Sequence, residues 1–262
     1  QNYFLLAMGG AIWSMPLADM LKFPARTFIR FFENHGLLTI NDHPQWHTVV
    51  GGSREYVRRL TESFQERIHV GCGVSKVTRN NSNVIVEDLQ GETQTFDEVI
   101  FACHADQALA MIDSPSIQEQ KILSAFTYQP NRAVLHSDTS FMPKRRNAWS
   151  SWVYLSENKT DSNPCVSLSY WMNNLQPLAT TQPLIVTLNP GREPAPELIH
   201  DDVMFEHPVF DAAAIENQSR IEGIQGHNRL WFCGAYQRYG FHEDGLGSAV
   251  ALAERMGVSP PW

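Results

Sequence analysis

The 262-residue sequence has no Cys-x-x-Cys pair and no short Cys/His cluster; its four cysteines, Cys72, Cys103, Cys165 and Cys233, stand far apart. That spacing excludes a zinc finger or a disulfide-stapled scaffold, and it reads as reduced thiols in a cytoplasmic protein. His-Glu-x-x-His is missing among the ten histidines, so no metal site is expected. Basic charge is scarce: 20 Lys and Arg face 28 Asp and Glu, a net charge of -8, which argues against a nucleic-acid binder. No apolar run approaches the roughly 18 residues of a membrane span. The start, Gln1-Asn2-Tyr3-Phe4, lacks both a methionine and the basic-then-apolar layout of a signal peptide, and reads as the interior of a longer protein. Internal repeats and low-complexity tracts are absent.

What is present is a globular composition, 43% hydrophobic, enough for one large or two small cores. Residues 1–44 are rich in aromatics and Leu, with Pro16 and Pro24 as breakers; the apolar spacing over 25–34 predicts a helix stopping near Gly36. Residues 46–50 read as a strand entering Gly51-Gly52-Ser53, after which 55–64 carry an amphipathic helical face. Extended runs at 68–70 with 74–78, 84–87 and 96–102 are separated by turn signals and predict a meander. Within it, 99–102 is continuously apolar, as expected of a strand buried on both faces, and 105–112 has helical character. From 116 to 205 the character turns β-rich, with strands expected at 132–137, 149–155, 165–171 and 184–188 and a hairpin loop at 156–164. Alternation places Trp152 and Tyr154 on one face of that sheet and Val153 and Leu155 on the other. A strand over 228–232 then returns to the first region. The expected layout is a helical segment (1–44), a nucleotide-domain portion (45–115), an antiparallel β domain (116–205) and a return (206–262).

The stretch with most chemical content is residues 229–257. Residues 230–233 predict a buried strand. Gly234 and Ala235 allow a ligand close to the backbone, and Asp244 can cap a helix from Gly245 to about Met256. A helix N-terminus offers amide N–H groups and positive dipole to an electron-rich ring, and Gly245, Gly247, Ser248 and Ala249 leave room for one. Taken alone, this reads equally as an ordinary strand–turn–helix of an α/β core. His242, Glu243 and Asp244 form an acid/base-like cluster that a capped surface loop would also produce.

With its Cys233-Gly-Ala-Tyr236 and Gly240-Phe-His-Glu-Asp-Gly245, the segment resembles the C-terminal motif of the flavin-containing amine oxidase superfamily, most closely a bacterial branch of NAD/FAD-binding proteins. Gly10-Ala-Ile-Trp-Ser14, Asn34-His-Gly-Leu-Leu38, Val50-Gly-Gly-Ser-Arg54 and Asp97-Glu-Val-Ile-Phe-Ala-Cys-His-Ala-Asp-Gln-Ala-Leu109 agree in order, so the resemblance covers nearly the whole chain. It implies an α/β (α+β) fold: part of a Rossmann-like FAD-binding domain with an inserted antiparallel substrate sheet. It also implies an FAD-dependent oxidoreductase acting on a small molecule, either an amine or an apolar lipid- or isoprenoid-like compound. The cofactor-binding residues it implies are Gly51, Gly52, Ser53, Gly234, Ala235, Glu243, Asp244, Gly245, Leu246 and Ala249, with Phe241 and His242 facing substrate. One departure stands out. The Gly-x-Gly-x-x-Gly fingerprint that holds a dinucleotide pyrophosphate is not in the sequence; the nearest string, Gly245-Leu-Gly247-Ser-Ala-Val250, ends in Val and lies at the wrong end. A double-bond isomerase or desaturase, or a non-catalytic remnant that kept the fold, are the alternatives.

Overall fold

The computed structural model describes residues 5–13, 20–21, 23–39, 41, 45–156 and 166–260. Pro16, Pro44, Cys165 and nearly all of the hairpin loop expected at 156–164 lie outside them. The chain divides into two units, each built from two stretches: residues 1–65 with 130–207, and residues 66–129 with 208–262.

In the first unit, helices α1 (Leu5–Trp13) and α2 (Ala25–Asn34) gather an aromatic cluster. Trp13 packs on Phe23 and Phe31 at centroid distances of 4.4 and 4.8 Å, and Phe28 stacks on Phe32 at 4.2 Å. Helix α3 (Arg54–Thr61) follows the Gly51–Gly52 turn as expected. The strand expected at 46–50 does not form. Trp46 and Val50 are exposed, and the segment joins no ladder with a described strand, without which an extended backbone gains nothing over a loop.

The rest of this unit is a five-stranded sheet in the order β6-β7-β8-β5-β9, comprising β5 (Tyr128–His136), β6 (Trp152–Ser156), β7 (Val166–Trp171), β8 (Ile185–Leu188) and β9 (Ile199–Pro208). The pairs β6/β7, β7/β8 and β8/β5 are antiparallel. Alternation gives the sheet its two faces. Val153, Ser169, Thr187 and Val134 lie in register on the buried side, whereas Trp152 is 42% exposed and meets Tyr170 edge to face. Burial pushes the phenols of Tyr154 and Tyr170 up to about 12. Strand β9 was not expected. Its sequence, rich in Asp, Glu and His and exposed along most of its length, carries no apolar alternation to announce it.

The second unit contains the meander β1 (Val74–Arg79), β2 (Val84–Asp88) and β3 (Thr93–Phe96), with β1/β2 and β2/β3 antiparallel. Residues 68–70 stay outside it. The 96–102 run divides into β3 and a short strand β4 (Val99–Phe101), which pairs in parallel with β10 (Leu230–Phe232) through Leu230↔Val99, Trp231↔Ile100 and Phe232↔Phe101. Segments on either side of the β-rich insertion thus meet in one sheet, as the discontinuous layout requires. Burial on both faces of β4 is not found: Phe101 is buried but Ile100 is 47% exposed.

Helices α4 (Ala105–Met111), α5 (Ile117–Leu123) and α7 (Ala212–Gln218) belong to this unit; a one-turn α6 (Met172–Leu175) belongs to the other. Residues 116–129 were expected in the β domain. They form α5 and the entry to β5 because Ser116-x-x-Glu119 is a capping box: Glu119 donates its N–H to Ser116 Oγ (3.2 Å), and Glu119 Oε2 accepts the Ser116 N–H (2.6 Å). Val77, Val84, Phe101, Leu123, Leu230 and Phe232 share one core. Among the described residues, no helix is long and apolar enough to cross a membrane.

Two buried polar groups fix local stability. Arg79 of β1 reaches Glu119, 1% exposed, at 2.7 Å and also donates to the Ser114 carbonyl. Arg79→Met strands that carboxylate and should cost about 3 kcal/mol in urea unfolding. The loss should be much smaller for Arg132→Met, whose bidentate partners Asp202 and Glu193 remain solvated.

In the sheet unit His136 is fully buried. Its Nδ1 accepts the Asp138 N–H (3.1 Å), which leaves the proton on Nε2 to donate to Thr187 Oγ1 (2.7 Å), itself bonded to Ser169 Oγ (2.8 Å). Burial pushes its pKa down from 6.5 to about 4. A depressed histidine contributes stability above its unfolded pKa and loses it as pH falls through the folded one. Urea midpoints should therefore drop between about pH 6.5 and 4, at up to about 1.4 kcal/mol per unit from this group, and His136→Gln should flatten that slope.

Candidate functional site

Parallel pairing with β4 carries β10 out into the turn at Gly234, at the C-terminal ends of both strands, where open α/β sheets place ligands. A short 3₁₀ turn (Ala235–Gln237) follows, and then helix α8 (His242–Arg255). The helix begins three residues earlier than expected, with Phe241 as N-cap and Asp244 inside the first turn. The carboxylate explains the shift: Asp244 Oδ2 accepts the N–H groups of Phe241 (3.0 Å) and Tyr239 (3.2 Å), so it reaches back over the entry from within the helix instead of preceding it.

Period places Asp244, Ser248 and Leu252 on one face, and all three are buried, at 9%, 7% and 4% exposure. Ser248 Oγ accepts the Gly234 N–H (2.9 Å) and donates to the Gly245 carbonyl (2.7 Å), joining the strand-end turn to the helix start. From α7, Gln218 Nε2 donates to the carbonyls of Tyr236 (3.0 Å) and Arg238. Gly240 has φ +91° and its Cα faces Phe210, whose ring would lie 2.9 Å from an added Cβ; both facts require glycine. The loop 234–241 is thereby held from below by Ser248, Asp244 and Gln218.

The opposite face of α8 is open. His242, Glu243 and Leu246 are exposed, and Gly245 and Ala249 are half-buried. The intrahelical ladder starts with Gly245 N–H to Phe241 O (3.1 Å), so the amides before it have no acceptor within the helix. At Gly245 an added Cβ would find only Ala235, at 3.9 Å, and at Gly247 only the Arg238 guanidinium, at 3.7 Å. A flat electron-rich ring suits such a surface, which offers the positive end of the helix dipole and, at Gly245, backbone that carries no side chain. Burial pushes the Cys103 and Cys233 thiols and the Tyr236 phenol up, keeping all three neutral near the strand ends.

Of the expected residues, Gly234, Ala235, Phe241, His242, Glu243, Asp244, Gly245, Leu246 and Ala249 share this one turn and helix start. Asp244 spends its carboxylate on the loop. Gly51, Gly52 and Ser53 belong to the other unit, where the glycines adopt φ +88° and +84° ahead of α3. Ser248's hydroxyl clasp and Gln218 escaped sequence reasoning, because a bond between residues 14 or 18 positions apart leaves no local pattern.

The sequence pattern defining the flavin containing amine oxidoreductases matches residues 2–202. No curated protein matches the chain. Among solved structures it is similar to a CLA-producing fatty acid isomerase from P. acnes (13% identity, TM-score 0.58, 79% of this chain and 52% of that one). It is also similar to a reduced UDP-galactopyranose mutase (12%, 0.55, 79% and 52%) and to a cyclohexylamine oxidase from Brevibacterium oxydans (10%, 0.51, 86% and 57%). These likenesses describe the fold, and the chain spans about half the length of each.

The clasp can be tested without any ligand. Ser248→Ala leaves the partly buried Gly234 N–H unpaired and should cost about 1–2 kcal/mol in unfolding free energy, whereas Asp244→Asn keeps an acceptor for the loop amides and should cost less than about 1.

Proposed function

Because the chain belongs to the flavin containing amine oxidoreductase family, we propose that it binds FAD with the ring system against the Gly234 turn and the start of α8, as part of an oxidoreductase. The substrate would be an amine or an apolar lipid- or isoprenoid-like molecule. One observation carries this reading: a glycine turn at the C-terminal end of a parallel strand, locked by Ser248 and Asp244 to a helix whose first turn includes Gly245.

Bound FAD would supply a two-electron acceptor for a substrate C–H bond. The chain's own part is orientation and electrostatics. Gly234, Ala235, Gly245 and Ala249 would give the ring its flat seat, and the amides of α8 would face its carbonyl edge. Glu243 and Leu246 would border it, and Phe241 and His242 would face substrate. Asp244 acts on the loop and helix start, keeping the amides in place. The pyrophosphate has no Gly-x-Gly-x-x-Gly cradle in this sequence, so the chain alone should hold FAD weakly.

Gly245→Val is the direct test, since its Cβ meets nothing closer than 3.9 Å and the fold should survive. The branched side chain would stand where the ring approaches. Bound flavin, read by absorbance after gel filtration of the longest natural form of the protein, should fall on the order of tenfold. Unchanged flavin content in a folded Gly245→Val variant would remove the helix start from the site.

A further inference from the structure

The sheet-bearing unit holds a cationic side chain in an aromatic corner that the flavin reading leaves unused. Trp149 and Trp171 meet edge to face, with centroids 5.2 Å apart and planes at 88°. The guanidinium carbon of Arg146 lies 3.6 Å from the Trp149 centroid and 4.4 Å from that of Trp171, in direct contact with both π faces. The corner is anchored independently of the arginine. Trp149 Nε1–H donates to the Pro143 carbonyl (2.7 Å), the Trp171 backbone N–H donates to Ser151 O (2.9 Å), and Met142, Val153 and Ile185 pack behind the rings. Among the described residues the buried Trp171 indole N–H has no acceptor, and ring packing sets its position.

Two arginines in or beside the sheet have carboxylates: Arg132 binds Asp202 and Glu193, and Arg192 stands 4.0 Å from Asp138. Arg146 ion-pairs with no carboxylate among the described residues, and the two indoles are its partners. It is exposed and sits on a short 3₁₀ turn (Arg146–Ala148), so its side chain can leave without disturbing the sheet.

We propose that the Trp149–Trp171 corner is a binding site for a small organic cation, an alkylammonium or guanidinium group, and that Arg146 closes it as a tethered internal occupant. Two electron-rich faces at right angles suit a weakly hydrated cation better than a metal ion or an uncharged group. The tether gives Arg146 a high local concentration, so a free cation gains access chiefly when the arginine is displaced or removed.

Tetramethylammonium and neopentyl alcohol, similar in shape but different in charge, are titrated into wild type and Arg146→Ala while tryptophan emission is followed, with sodium chloride matching ionic strength. Arg146→Ala should bind tetramethylammonium saturably and on the order of tenfold more tightly than wild type. Neopentyl alcohol should not saturate, and adding Trp171→Leu should abolish the response. Absence of saturable binding in Arg146→Ala with an unchanged circular dichroism spectrum, or equal binding of the alcohol, would overturn the proposal. Arg146→Gln, which keeps the length without the charge, provides the same comparison should Arg146→Ala not fold.

Discussion

The pairing of β10 with β4 is the constraint on which the second unit rests. Three in-register residue pairs bring together stretches that flank the entire β-rich insertion, and Phe101 and Phe232, stacked at 5.4 Å, bury the junction. Parallel strands cannot be joined by a tight turn, so the chain must travel elsewhere between them, and here it builds the five-stranded sheet of the first unit on the way. The pairing also decides where β10 stops. Beyond Phe232 the Cys233 N–H still bonds to the Phe101 carbonyl (2.9 Å), and the next residue is the glycine that Ser248 ties to α8.

From that junction the candidate site follows with little freedom. The inward face of α8 is occupied by two polar side chains that a soluble helix would normally turn to water, Asp244 and Ser248. Both are nearly buried and both are satisfied by loop amides. Burying them is affordable only because each finds hydrogen-bond partners at once. Their effect is to fix the loop from beneath.

Much of this was legible in the sequence, for identifiable reasons. Helix α2 was read to its observed bounds from apolar spacing, and β4 and β10 from continuous apolar runs, since each is specified by its own residues. The strand expected at 46–50 failed because a strand needs a partner that no local pattern supplies. Strand β9 was missed for the converse reason: its charged, exposed sequence is held by the sheet it joins. Helix α5 carried a readable Ser-x-x-Glu signal that the surrounding β-rich composition obscured. At the site, the glycines and the helix were visible, but the direction of Asp244 and the reach of Ser248 and Gln218 depend on how the loop folds back.

Family membership and a fold shared with an isomerase, a mutase and an oxidase place the chain without choosing its reaction, and about half of each solved relative's length has no counterpart in it. The central claim is therefore where the flavin lies. Hydrogen–deuterium exchange followed by mass spectrometry, with and without FAD, reads that position directly from the backbone amides. The account predicts slower exchange across residues 234–249 when FAD is added. Protection confined to other segments, with 234–249 exchanging as before, would contradict it.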